Sequence, residues 1–256
     1  MPKLNFRIIG QGTPVIILHG LFGMLDNWLT IAKKFEVQGY MPILIDQRDH
    51  GRSEHTDDFS YRLLAEDLYR FMEDNWIHES FLIGHSMGGK VALQFVANHA
   101  SLIKKLVVVD IGIKKYNGGH ENVLKALNSV DIHHLSSRSD AENELNKILQ
   151  DTSTVQFLMK NLTRSKEGGY EWKMNFKLLE QKYQNILSEI TFEHPVFTET
   201  LFIKGGHSDY ILDEDFPSIK KVLPEARLIT MPNAGHWVHA DQPDELFSNI
   251  IDFIRE

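Results

Sequence analysis

Cysteine is absent from this chain of 256 residues. That excludes disulfides and thiolate metal sites, and it fits a reducing compartment. A basic block is also missing. The 27 Lys and Arg are outnumbered by 35 Asp and Glu, for a net charge of −8, so nucleic acid is not an expected partner. No apolar run reaches the length of a membrane-spanning helix, and Met1-Pro2-Lys3-Leu4-Asn5 lacks an apolar signal core. A soluble cytoplasmic protein is the expectation. No His/Asp/Glu cluster has metal-ligand spacing, and neither a Gly-rich dinucleotide fingerprint nor a phosphate loop occurs, so neither a metal nor a cofactor is expected. Repeats, low-complexity segments and flexible linkers are likewise lacking.

What remains is a chain with 42% hydrophobic residues, ample for one large domain with room for an insertion. Residues 4–9 alternate in polarity, as a half-buried strand does. Continuous apolar runs follow at 14–18, 41–45, 81–83 and 106–109, the last entered through Lys104-Lys105, the pattern of strands buried on both faces. Helical patterns lie between them, at 27–38 with Asp26 as a candidate cap, at 60–75 and from Lys90 onward. Such alternation predicts an α/β fold, a mostly parallel central sheet flanked by helices. From 112 to 193 the pattern changes to amphipathic helical stretches near 121–130, 140–149, 154–162 and 175–190, with no convincing strand. This segment reads as a helical cap inserted into a core made of 1–111 and 194–256. Strands resume at 200–205 and 227–231, with helices at 213–222 and 243–254.

The chemistry centres on Gly84-His85-Ser86-Met87-Gly88, where an apolar strand ends and a helix begins. In that context Gly-X-Ser-X-Gly predicts a nucleophile elbow, which lifts the Ser86 hydroxyl above the sheet. A serine hydroxyl needs a base, an acid to orient the base, and donors for the oxyanion. His236, in the loop after the last strand, is the candidate base. His19 reads as a structural donor, His85 as pointing sideways and His239 as a surface residue. Two carboxylates compete to orient the base. Asp110 ends the strand after the elbow helix, and Asp209 follows the next strand. The turn His19-Gly20-Leu21-Phe22-Gly23 and the start of the elbow helix offer the N–H groups of Leu21 and Met87 as an oxyanion hole. Residues 46–53 read as structural, with Arg48 and Asp49 tying loops together.

These motifs together resemble the α/β-hydrolase superfamily over nearly the whole chain. They resemble more narrowly the YbfF-type bacterial esterases and their mitochondrial relatives among the abhydrolase-domain proteins. The residues that carry the narrower likeness are His19-Gly20-Leu21-Phe22-Gly23 with Asp26-Asn27-Trp28, Asp49-His50-Gly51-Arg52-Ser53, Gly84 to Lys90, Val109-Asp110-Ile111 and Asn233 to Ala240. The resemblance implies a serine carboxylesterase or thioesterase that acts on acyl esters through an acyl-enzyme, without a cofactor, under a helical cap. It favours Asp110 as the acid, with Asp209 as the alternative. Phe22, Phe157 and Trp237 are candidate substrate-binding side chains, and Leu158 and Leu162 candidate pocket-lining residues of the cap. Rival readings keep the constellation and change the bond cleaved, as in carbon–carbon hydrolases, amidases or cofactor-free haloperoxidases. A ligand-binding receptor on the same scaffold is a further alternative.

Overall fold

The structure, a computed structural model, describes residues 2–256. Its elements in chain order are β1 (Phe6–Ile8), β2 (Thr13–Leu18), α1 (Leu29–Val37), β3 (Tyr40–Ile45), α2 (Tyr61–Asp74), β4 (Ser80–His85), α3 (Met87–His99) and β5 (Ile103–Val109). The insertion then supplies α4 (Glu121–Ser129), α5 (Arg138–Asn146), α6 (Thr152–Met159), β6 (Leu162–Arg164), β7 (Tyr170–Trp172), α7 (Phe176–Gln181) and α8 (Tyr183–Ile186). The chain closes with β8 (Thr200–Gly205), α9 (Phe216–Val222), β9 (Ala226–Met231), α10 (Val238–Asp241) and α11 (Pro243–Arg255).

Seven strands form one sheet in the order β1-β3-β2-β4-β5-β8-β9. All pairs are parallel except β1 with β3. Alternate side chains of each central strand point to opposite faces. Ile16, Leu18, Ile43, Leu82 and Val108 join α2, α3 and the insertion in one core. Val15, Ile17, Leu44, Ile83 and Val107 join α1 and α11 in the other. A sheet buried on both faces explains why these strands read as unbroken apolar runs. The order reverses between β2 and β4, and it is at the carboxyl ends of strands at such a reversal that open α/β sheets hold their sites.

Several expectations are corrected. The first strand is not half-buried: Phe6 is 41% and Ile8 44% exposed, because β1 is a short antiparallel edge. The helix expected at 27–38 begins as a 3₁₀ turn, Leu25–Trp28, and Asp26 does not cap it; Met24 N–H instead donates to Asn27 Oδ1 at 2.7 Å. A 3₁₀ turn, Asp213–Asp215, likewise precedes α9. The inserted segment contains a hairpin, β6 with β7, in which Leu162 pairs with Trp172 rather than ending a helix. Its last helical stretch breaks at Lys182, which separates α7 from α8.

Elsewhere the local chemistry is as the residues suggest. Ser60 caps α2 by accepting from Leu63 N–H at 3.2 Å. In the 46–53 loop, Arg48 makes a buried two-pronged bond to Asp67, with Nε and Nη2 at 2.5 and 2.7 Å. Asp49 accepts from the Thr56 N–H and hydroxyl and from Asn175 Nδ2, tying the loop to the insertion.

Candidate active site

Ser86 follows the last residue of β4 and precedes the first of α3, with φ 52° and ψ −120°. A non-glycine residue in the left-handed region stores strain, which the two flanking elements hold in place. The neighbouring glycines make the turn possible. A Cβ on Gly88 would lie 2.5 Å from the carbonyl oxygens of both Leu18 and His19, and a Cβ on Gly84 would strike the Gly88 carbonyl. The turn thus packs backbone to backbone.

His236 lies between β9 and α10, and its imidazole joins two residues far apart in sequence. Its Nε2 is 3.0 Å from Ser86 Oγ, and its Nδ1 is 2.8 Å from Asp110 Oδ2. A carboxylate can only accept, so Nδ1 carries the proton and Nε2 is left to accept from the serine hydroxyl. Asp110 is fully buried. It is held from three sides, by His236, by the Gly205 N–H on Oδ1 at 2.9 Å, and by the Ser208 hydroxyl on Oδ2. Its own φ is 52°, so the β5 terminus turns as sharply as that of β4. Asp209 is exposed and lies outside this network. Of the two carboxylates weighed from the sequence, the imidazole meets Asp110.

Leu21 and Met87 flank the hydroxyl, one after β2 and the other opening α3. As the first residue of a helix, Met87 has an N–H with no intrahelical acceptor. The turn after β2 is braced from below and above. His19 Nε2 accepts from Gln47 N–H at 3.1 Å, which leaves its Nδ1–H to donate to Gly20 O at 2.8 Å. Asn161 of the insertion, fully buried, donates to Phe22 O at 2.7 Å and so secures a residue whose φ is 59°. Burial pushes the His19 imidazole down to about 4, partly offset by the Gly20 bond. It pushes His50 down to about 3, helped by the neighbouring His19. Both rings are neutral supports.

A small, partly open cavity lies over Ser86. Core residues Leu21, Phe22, Trp28 and Trp237 form one side, and His120, Val123, Thr154, Phe157 and Leu158 of the insertion form the other. The Phe157 and Trp237 rings meet at 4.9 Å across it. Phe22, Phe157, Trp237 and Leu158 line this one cavity, whereas Leu162 sits buried in the hairpin, away from its wall. His239 departs from its expected surface position. It stacks on Trp28 at 4.9 Å, and burial pushes it down to about 3. His85 donates from Nε2 to the His236 carbonyl at 2.8 Å, a lateral brace for the loop that carries the imidazole. Ser208 and His120 were not legible as site residues. Ser208 sits in an unremarkable polar loop and His120 in the irregular start of the insertion, and only folding brings them inward. Among the described residues no group of three or more His, Asp or Glu could hold a metal, and no helix is long and apolar enough to cross a membrane.

A seven-stranded, mostly parallel sheet with a strained serine between β4 and α3 and a histidine after the last strand is the architecture of α/β hydrolases. Residues 13–243 match the family model for the alpha/beta hydrolase fold, and the chain belongs to that family. It is 36% identical to an sn-1-specific diacylglycerol lipase, ABHD11, of Danio rerio over 96% of this chain and 80% of that protein. It is 32% identical to Esterase YbfF of Escherichia coli K12 over 99% and 100% of the two chains. Among solved structures, a marine microorganism esterase superposes with a TM-score of 0.96 at 42% identity, covering 99% of this chain and all of that one.

Proposed function

We propose that this ester-cleaving α/β hydrolase works through an acyl-enzyme on Ser86, with His236 as the base and Asp110 as the acid that orients it. The observation that carries the reading is the unbroken line of hydrogen bonds from Asp110 Oδ2 through the imidazole to Ser86 Oγ, at 2.8 and 3.0 Å. His236 Nε2 takes the hydroxyl proton as Ser86 Oγ attacks the acyl carbonyl carbon. The oxyanion is received by the N–H groups of Leu21 and Met87, each worth about 3–4 kcal/mol to the transition state. The imidazolium, steadied by Asp110, returns its proton to the leaving alcohol or thiol. Water then attacks the acyl-enzyme by the same steps, with His236 again as base.

The insertion acts as a cap. Val123, Phe157 and Leu158 close an apolar wall over the serine, which suits an acyl chain and excludes water from the reacting carbonyl. The esterase and lipase names of the relatives support ester substrates. The test is turnover of a short p-nitrophenyl ester by wild type and Ser86→Ala, with circular dichroism to verify folding. Loss of turnover in a folded variant, together with loss of labelling by a serine-reactive phosphonate, is the expected result. Retained turnover would remove Ser86 from the mechanism.

A further inference from the structure

The hydrogen bonds at Nδ1 and Nε2 fix the His236 ring along one line and leave it free to rock about that line. Something must touch its face. Tyr210 does so: its ring stacks on the imidazole with centroids 4.0 Å apart and planes 22° from parallel. Tyr210 follows the loop whose Ser208 bonds Asp110, so one short stretch of chain supports both the acid and the base.

Tyr210 is itself held. The Tyr116 hydroxyl donates to the Tyr210 carbonyl at 2.6 Å and accepts from Gly112 N–H at 2.8 Å. Tyr116 belongs to the outgoing end of the insertion, and its own N–H donates to Leu187 O at the returning end, at 2.9 Å. Lys90, one turn past Ser86 in α3, has its Nζ 4.7 Å from the centre of the Tyr116 ring. Its ammonium donates to Lys114 O at 2.8 Å and to Ser188 O, one carbonyl from each end of the insertion. A continuous set of contacts therefore runs from the elbow helix, through both ends of the insertion, to the face of the imidazole. The proton transfers proposed above use none of these groups.

We propose that Tyr210 is a positioning residue for His236, and that the Tyr116 hydroxyl sets Tyr210 in place by bridging Gly112 N–H and the Tyr210 carbonyl. The inference rests on His236 being the base. The stack opposes rocking of the ring out of the line between Asp110 and Ser86. Its π face also favours the imidazolium that forms as the serine attacks. The aromatic ring does this, and the Tyr210 hydroxyl is not required: burial pushes it up to about 12, so it stays neutral.

The experiment compares Tyr210→Leu, Tyr210→Phe, Tyr116→Phe and His236→Ala with wild type on p-nitrophenyl butyrate. Rates are normalised to active sites titrated with a phosphonate; His236→Ala is normalised to protein concentration. Misalignment of a reacting group lowers the chemical step, so Tyr210→Leu is expected to lose kcat roughly tenfold with KM within about twofold. Tyr210→Phe keeps the face and should retain kcat within about twofold. Tyr116→Phe, which removes one oxygen and is the safer variant for folding, should lower kcat about threefold. Unchanged kcat in both Tyr210→Leu and Tyr116→Phe overturns the proposal, as does a raised KM at constant kcat, which would make Tyr210 a wall of the substrate pocket. His236→Ala separates the two readings. If it abolishes turnover while the tyrosine variants are normal, only the positioning role falls. If it turns over normally, the assignment of the base falls first.

Discussion

Asp110 and His236 lie 126 residues apart in the chain, yet Oδ2 of one is 2.8 Å from Nδ1 of the other. Asp209, the other carboxylate within reach by sequence, faces solvent. The two therefore make opposite predictions. Asp110→Asn should lower kcat by about 10⁴, because an amide can donate to Nδ1 and stabilise the wrong tautomer. Asp209→Asn should stay within about twofold of wild type. Steady-state kinetics on a short acyl ester decides, and a collapse in Asp209→Asn would reassign the acid.

The elbow's tight packing predicts a stability effect distinct from its chemistry. A methyl group at position 88 would meet two carbonyl oxygens at 2.5 Å, and both belong to backbone that cannot swing aside. Gly88→Ala should lower the urea midpoint by the equivalent of about 1–3 kcal/mol, as overpacking does in a rigid site. An unchanged midpoint would mean that α3 can slide away from β2.

Phe157 and Trp237 close the cavity between insertion and core. Phe157→Ala should open it toward longer acyl chains. Each additional buried methylene is worth about 0.8 kcal/mol, so two of them should raise kcat/KM for a hexanoyl ester over a butyryl ester by roughly tenfold relative to wild type. A panel of p-nitrophenyl esters measures the ratio. An unaltered ratio would place the acyl chain elsewhere.

His19 and His50 are buried neutral, pushed down to about 4 and about 3. Between those values and about 6.5 the unfolded chain binds protons that the folded chain refuses, so unfolding takes up protons there. Their contribution to stability is complete above about 6.5 and is lost as the pH falls toward 4. Each histidine contributes a slope of about 1.4 kcal/mol per pH unit in that window. Urea midpoints at pH 7.5 and 4.5 should show the fall, and His50→Gln should make it shallower. Identical slopes would mean that His50 protonates freely in the folded state.

The central sheet was legible because burial on both faces leaves an uninterrupted apolar run, and a run such as Pro14–Leu18 has few other readings. The positions of Ser86 and His236 were legible because one sits in the tight turn directly after a buried strand and the other in the glycine-containing loop that follows the last strand. Legibility failed where three-dimensional context decides. Strands β6 and β7 are three residues each, too short for a period to register. Gly168 and Gly169 at their turn, both with positive φ, were the available signal. Phe6 and Ile8 look like core residues and are exposed, since an edge strand packs on one side only. Nothing local distinguishes Ser208 from His207 or Asp209, and only the approach of β5 to β8 brings its hydroxyl to Asp110. The same holds for His239, whose inward turn depends on α10 and on Trp28 as a partner.

Strands β5 and β8 lie side by side, and the whole inserted segment leaves from one and returns to the other. A detour that starts and ends at neighbouring strands can lengthen, shorten or be exchanged at small entropic cost, without changing the pairing on either side. Ser86, His236 and Asp110 all stand on the sheet and its loops, outside that detour, and much of the cavity wall over Ser86 stands on the detour itself. Such a division lets the wall over the serine be reshaped while the hydrogen-bonded line beneath it keeps its geometry.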